Sequence, residues 1–303
     1  MGNESSKLTS YLLLALLVVI WGASWPIYKM GVHFMPPLLF AGIRAFVGGL
    51  ILLMIAWKSR HLLRFKENWK YYSISAILNM VLYLGIQTIG LVYLPGGLFS
   101  VLVYFQPVLL GILAWIFLGE DMTSFKIIGL VIGFIGIFFA SFDGLAIHVS
   151  SIGVTLALLT ALVWASGVVY VKKNNQQVNS FWMVVMQLIL GGAVLLGSSF
   201  LIEDFNAIQW NGKLIGSIVW GSTAGMAVAQ VLYFKLINEG EASKVGAFTF
   251  LVPILAVLIS ALFFDETITS TLFIGMVFVG MSIYLVNMKP RKFSIQDKIK
   301  KAA

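Results

Sequence analysis

Arg44 stands alone in the segment AGIRAF, inside an apolar stretch that runs from Pro37 to Trp57. Its guanidinium is a planar fork of donors suited to a carboxylate or a phosphate. Other side chains able to recognise a ligand recur at helical spacing. Asn79, Tyr83 and Gln87 follow i, i+4, i+8, and Ser100, Tyr104 and Pro107 follow i, i+4, i+7. Thr223, Met226, Gln230 and Tyr233 share one helical face. Trp21, Trp164, Gln187 and Thr249 complete the set. These groups stack and hydrogen-bond; none is a strong nucleophile. There is no cysteine, which excludes thiol catalysis, disulfides and thiolate metal sites. His33, His61 and His148 fall in loops or at the ends of apolar runs, and all 12 acidic residues fall at helix ends, in loops or in the tails. No His pair, acid cluster or Ser/His set shares one depth. No catalytic residue, metal site or cofactor is therefore expected, and a membrane-embedded enzyme is disfavoured.

The elements that position these residues are apolar. The 303 residues are 60% hydrophobic and 11% charged, with a mean hydropathy of +0.97. Soluble domains carry about 25% charged residues. A soluble enzyme, a disordered chain and a nucleic-acid-binding domain are thereby excluded as the main reading. The net charge of +8 suits basic loops facing anionic lipid. A membrane-crossing helix needs about 20 mostly apolar residues. Ten such spans can be drawn: 11–30, 37–57, two between 71 and 119 divided at Pro95-Gly96-Gly97, 124–142, 152–171, 181–202, 214–234, 245–264 and 272–288. The expected fold is an all-α integral membrane protein with ten transmembrane helices. The first apolar run reads as an uncleaved helix, not a secretory signal. Trp57, Trp69, Tyr71, Tyr72, Trp182 and Trp210 lie at span ends, where amphipathic rings prefer the interface. Lys126 opens the fifth span, from where it can snorkel.

The chain also repeats itself. Pro107, Glu120, Thr123 and Gly129 recur 146 residues on as Pro253, Glu266, Thr269 and Gly275. Nearer the amino-terminal ends the spacing is 143: Trp21 meets Trp164, Lys29 meets Lys172, and Gly48-Gly49 meets Gly191-Gly192. Two five-helix repeats, 1–145 and 146–289, precede a basic tail at 290–303. An odd number of spans per repeat makes the two halves insert with opposite orientation, the inverted architecture of secondary carriers.

WGASWPIYK, the arginine of AGIRAF and the element LGED-x-T between spans four and five resemble the EamA-type transporters of the drug/metabolite transporter superfamily. The resemblance covers both halves. It implies a ten-helix bundle that exports amino acids or other small metabolites. The second repeat departs from the first: Gln187 stands at the register of Arg44, and Asp265 replaces Gly119. Charge-based recognition is thus expected on one side only.

Each candidate has a functional and a structural reading. Arg44 is either a cationic contact for a substrate carboxylate or an arginine held by backbone carbonyls or snorkelling outward. Trp21, Asn79, Tyr83, Tyr104, Trp164, Gln187, Gln230, Tyr233 and Thr249 either line an amphipathic cavity or act as interhelical glue. Such glue is worth under about 1 kcal/mol per contact. Pro107 and Pro253 are expected to kink their helices near midplane, and Gly129 and Gly275 to permit close packing. Glu120 and Glu266 are expected on opposite membrane faces, capping the helices that follow them, with Thr123 and Thr269 nearby. The function expected is secondary transport of small amphipathic metabolites across the cytoplasmic membrane by alternating access. The partners are a small-molecule substrate and the bilayer, not nucleic acid; nothing in the sequence sets an oligomeric state. A nucleotide-sugar or other anion carrier is the alternative. It would need several cations for phosphates where Arg44 stands alone.

With the amino terminus inside, 17 of the 20 Lys and Arg residues face the cytoplasm. The chain has no native cysteine to remove. A cysteine placed at Ser124 should react with membrane-impermeant reagents from the cytoplasmic side, and one at Ser270 from outside. Labelling of both from one side would refute opposed halves.

Overall fold

A computed structural model describes residues 2–93, 99, 102–140, 150–264 and 270–288. Ser100, Asp265, Glu266, Thr269 and the 290–303 tail lie outside the described residues. Every element among those described is helical. Lipid offers no hydrogen bonds, so an apolar chain closes its backbone bonds within each helix. The order is α1 (Gly2–Val32), α2 (Pro37–Ala56), α3 (Phe65–Ala76) and α4 (Tyr83–Tyr93), then α5 (Gln106–Leu118) and α6 (Ser124–Ala140). The second part runs α7 (Ser151–Lys173), α8 (Ser180–Ile202), α9 (Gly212–Trp220) and α10 (Ala229–Glu239). It ends with α11 (Ala242–Phe248), α12 (Leu251–Phe264) and α13 (Ser270–Asn287).

Six helical runs are long and apolar enough to cross a membrane: Leu8–Val32, Pro37–Leu62, Phe65–Gly90, Ser151–Lys173, Ser180–Ile202 and Gly212–Glu239. Among the described residues the other apolar stretches, Gln106–Leu118, Ser124–Phe139, Ala242–Ala256 and Phe273–Asn287, are shorter, at 10–17 residues. Local signals set several starts. Pro37 opens α2, where its missing N–H costs nothing. Asn179 accepts from the N–H groups of Phe181 and Trp182, and Asn211 from that of Leu214. Gly119 closes α5 at φ 67°, a left-handed conformation that favours glycine.

Two long helices carry a stretch of π-helix in the middle. Ile77–Leu82 joins α3 to α4, and Gly221–Val228 joins α9 to α10. Two others are broken. A turn at Tyr104-Phe105 precedes α5, and one at Thr249-Phe250 separates α11 from α12. This corrects the expected role of the prolines. Pro107 lies in the first turn of α5 and Pro253 in the first turn of α12. Proline there removes no intrahelical bond, so both start helices after a break and do not kink continuous ones.

The packing is set by small residues. α2 lies along α8, α6 along α13, α5 against α7, and α1 against α12. A Cβ on Gly192 would stand 2.5 Å from the Phe46 nitrogen, and one on Gly49 2.9 Å from the Ile189 nitrogen. Gly129 lies against Leu285 and Val286, and the Gly275 carbonyl against Gly136. One further expectation is corrected, and two interfacial candidates face protein: the Tyr72 and Trp182 side chains are fully buried. The Trp182 indole donates to the Ser59 carbonyl at 3.0 Å, and the Tyr72 hydroxyl to the Leu63 carbonyl at 2.6 Å. Lys126 does not snorkel: it is 4% exposed and ion-paired with Glu241.

Gly192→Ala should lower the melting temperature of the purified protein, because its methyl group meets backbone and not a movable side chain. Overpacking of this kind costs about 1–3 kcal/mol. Gly197→Ala, on the same helix with nothing within 4 Å, should leave stability unchanged or slightly raised. Equal melting temperatures for the two variants would refute the contact.

Candidate functional site

Four aromatic side chains from four helices meet inside the bundle. Trp21 comes from α1, Tyr83 from α4, Trp164 from α7 and Tyr233 from α10. Ring centroids are 4.6 Å apart for Tyr83 and Trp164, and 4.9 Å for Trp21 and Tyr233. Trp164 stacks on Tyr233 at 5.7 Å and meets Trp21 edge-on at 6.2 Å. Trp164 and Tyr233 are buried, whereas Trp21 and Tyr83 keep part of their surface open. Tilted and edge-on rings present π faces and ring edges together, which suits an apolar body or an ammonium group. Gln230, one turn before Tyr233, is buried with its Oε1 unpartnered.

Arg44 lies in a second group. Its Cζ stands 3.7 Å over the Tyr28 ring and 4.5 Å from that of Phe40. Nε donates to the Phe40 carbonyl at a long 3.4 Å, while Nη1 is buried with no partner. Its aliphatic stem lies over Gly221, at the start of the second π segment. Ser24 and Trp220 adjoin this group, the Trp220 indole donating to the Ser24 hydroxyl at 3.0 Å.

The remaining candidates are spread wider. Gln187 and Asn79 belong to a buried ladder between α8 and α3. The Ser75 hydroxyl donates to Gln187 Oε1 at 2.7 Å, and Asn79 Nδ2 donates to Ser75 at 3.3 Å. Tyr104 and Thr249 occupy the two helix breaks. The Trp25 indole donates to the Tyr104 hydroxyl at 3.0 Å, and the Thr249 hydroxyl closes on the Gly246 carbonyl at 2.7 Å. No group of three or more His, Asp or Glu residues among those described could hold a metal ion.

Charges gather at one end of the bundle. Glu120 does not cap the helix that follows it; it reaches α11. Its carboxylate accepts from the N–H groups of Ala242 and Ser243, and from the Ser243 hydroxyl at 2.6 Å. The Lys172 ammonium donates to it at 2.9 Å and also to the Gly240 carbonyl. Beside it, Glu241 pairs with both Lys126 and Lys244. Burial pushes the Glu120 carboxyl up. The Ser243 hydrogen bonds and the Lys172 ammonium outweigh that, so it sits below its ordinary value. On the Pro37 side of α2, Glu203 accepts from the N–H groups of Leu38 and Leu39, both at 2.8 Å.

Sequence reasoning missed Trp25, Tyr28, Ser24 and these two carboxylate caps. The first two carried a signal: Trp21, Trp25 and Tyr28 follow i, i+4, i+7 on α1. The caps carried none, because donor and acceptor are about 120 and 165 residues apart.

An apolar helical bundle whose broken and π-containing helices surround aromatic and polar groups is the architecture of a multi-pass membrane transporter. The chain belongs to the EamA-like transporter family, whose pattern matches residues 8–142 and again 151–288. It is 47% identical to the uncharacterized transporter YvbV of Bacillus subtilis over 289 residues, 95% of each chain. It is 25% identical over 283 residues to a probable amino-acid metabolite efflux pump of Escherichia coli, covering 89% of this chain and 92% of that one. A solved crystal structure with 14% identity superposes with a TM-score of 0.82 over 92% of this chain and 96% of the other. At that identity the likeness is one of fold. Family membership implies a small-molecule substrate and a lipid environment.

Removing the Glu120 carboxylate strands two helix N–H groups and unpairs the partly exposed Lys172 ammonium. Glu120→Ala should therefore cost about 1–3 kcal/mol, read as a lower melting temperature. Glu120→Gln with Lys172→Met should recover part of that loss. Because the folded carboxyl is held below its ordinary value, its stabilisation is complete above the ordinary pKa and fades as pH falls through the folded one. Wild-type stability should thus fall on the acid side, and Glu120→Gln should flatten that fall. An unchanged acid limb in the variant would refute the assignment.

Proposed function

We propose that this protein is a secondary exporter of small amphipathic metabolites, amino acids among them, in the cytoplasmic membrane. Ten spans form two inverted halves, 1–145 and 146–289, with both termini in the cytoplasm, and transport proceeds by alternating access. One observation carries the reading. α1–α12, α4–α7, α2 with the second π segment, and α8 with the first are contacts between halves. Exchanging each expected span for its counterpart in the other half reproduces the same packing. The two π segments and the two helix breaks also fall at corresponding places. The aromatic cluster sits where expected spans one, three, six and eight meet, the position in which inverted-repeat carriers hold substrate. The Escherichia coli relative named as an amino-acid metabolite efflux pump supports that substrate class. Nothing in the cluster suggests turnover of a substrate, so the protein reads as a carrier and not an enzyme.

The chemistry of the cluster also speaks to coupling. Its groups are Trp, Tyr and Gln, with Arg44 in a separate group, and among the described residues no carboxylate or histidine is paired with either. Proton-driven carriers use a titrating group at the site. Protein reconstituted in liposomes should carry radiolabelled amino acids down their gradient faster than protein-free liposomes do. An imposed pH gradient alone should not concentrate a neutral substrate. Absence of flux across the amino acids and their amides would refute the transport assignment, and uphill accumulation driven by pH would refute the coupling.

A further inference from the structure

We propose that Arg44 forms a carboxylate-binding subsite beside the second π segment, so that the substrates are small monocarboxylates or zwitterions with an apolar body. The proposal rests on the transporter reading and names the chemistry its site selects. Arg44 is 6% exposed, and the ion pairs among the described residues are Arg64–Glu67, Lys126–Glu241, Lys172–Glu120 and Lys244–Glu241. The guanidinium is thus buried without a carboxylate. An isolated buried charge is costly unless it is paired and hydrogen-bonded.

The surroundings are built for an in-plane acceptor. Tyr28 and Phe40 hold the cation through their ring faces, at 3.7 Å and 4.5 Å. Ring contacts use a face of the guanidinium, while hydrogen bonds run along its edge. On that edge Nη1 has no partner. Gly221 leaves room for the arginine stem: a Cβ there would stand 2.8 Å from the Arg44 Cγ. The next residue, Ser222, is 1% exposed, and its hydroxyl is also unpartnered. Both residues sit in the π segment, a helical irregularity that recurs at functional sites. The unpartnered edge of a buried guanidinium is what a bound carboxylate would satisfy.

Charge counting selects the class of anion. Among the described residues no second cation contacts Tyr28 or Phe40. One guanidinium balances one carboxylate, whereas a phosphate dianion would keep an uncompensated charge in the bundle. The body of the ligand has a place as well. α2, which carries Arg44, packs against α4, whose Tyr83 meets Trp164 in a tilted contact at 4.6 Å. The aromatic cluster thus lies on a helix neighbouring the cationic group.

Benzoate, benzamide and inorganic phosphate are suitable probes, read as ligand-induced shifts in the melting temperature of the purified full-length protein. Benzoate should stabilise saturably. Benzamide, which has the same ring but no charge, should bind at least about tenfold more weakly, as expected for a lost charge-assisted hydrogen bond. Phosphate should bind more weakly than benzoate. In Arg44→Gln the preference for benzoate over its amide should vanish. Arg44→Lys should retain part of it, because charge remains and the planar fork is lost. Equal binding of benzoate and benzamide by the wild type, no saturable response to benzoate, or tighter binding of phosphate would each overturn the proposal; so would a fully selective Arg44→Gln. The wild-type comparison holds even where a variant folds poorly. Flux measurements separate the two readings. Arg44-dependent benzoate binding without flux of any carboxylate would sink the transporter assignment and leave the subsite standing. Flux with equal benzoate and benzamide binding would do the reverse.

Discussion

Two carboxylates close the ends of helices to which they do not belong, and the arrangement of the bundle depends on them. Within lipid, an open backbone N–H has no water to turn to. α11 begins inside the protein at Ala242 and has no side-chain cap of its own. Glu120, from the end of α5, supplies the missing acceptors and brings Lys172 with it. α2 begins after Pro36, also without a cap of its own, and Glu203 from the end of α8 accepts its first free N–H groups. Each carboxylate joins one half of the chain to the other. Each therefore fixes where a helix of one half starts relative to the other half. An acid near a helix amino terminus is favoured by the helix dipole as well.

With the ends fixed, irregular backbone can sit in the middle. The turns at Tyr104-Phe105 and Thr249-Phe250 and the two π segments are stretches that a lipid-facing helix could not carry. Each π segment keeps one face against protein, with Asn79 and Met80 buried in the first and Ser222 and Met226 in the second, although Ile77 and Val228 are exposed. The Thr249 hydroxyl takes up the Gly246 carbonyl, and the Trp25 indole reaches Tyr104. Some of the buried polar groups left without partners lie at these places, Asn79 in the first π segment, Ser222 in the second and Gln106 just after a break, while others, Arg44 and Trp164 among them, lie in regular helix.

The helices were legible in the sequence because membrane insertion is nearly one-dimensional: an apolar run of sufficient length declares itself. The repeat was legible because Pro107, Glu120, Thr123 and Gly129 kept one spacing to their counterparts. The aromatic cluster was legible in part. Trp21, Tyr83, Trp164 and Tyr233 were chosen by depth and helical face, and the structure brings them together. Side-chain partners were not legible. Gln187 and Asn79 look from sequence like lining residues, yet Ser75 ties them into a ladder. Pro107 looks like a kink in a long helix, but the chain is already broken two residues before it. Glu120 resembles a cap for the next helix because sequence shows only local neighbours. Its true donors lie more than 100 positions away.

The asymmetry between Arg44 and Gln187 has a physical consequence. The two residues stand at matching registers, but only one bears a charge. Gln187 is bonded by Ser75 within the α3–α8 contact, whereas Arg44 lies where α1, α2 and the second π segment converge. A frame built from two similar halves has little intrinsic preference for which way round a substrate lies. With a carboxylate subsite at Arg44, one buried cation would supply that preference by fixing the end at which an anionic group binds. It also ties binding to conformational change. Any rocking of the halves that alters the Arg44–Gly221 contact alters the solvation of the guanidinium. An uncompensated charge makes such a step costly, and a bound carboxylate that neutralises it lowers the cost. A ligand shifts a conformational equilibrium only through its different affinity for the two states. A single arginine at this junction would give a carboxylate that difference, and an uncharged analogue would lack it.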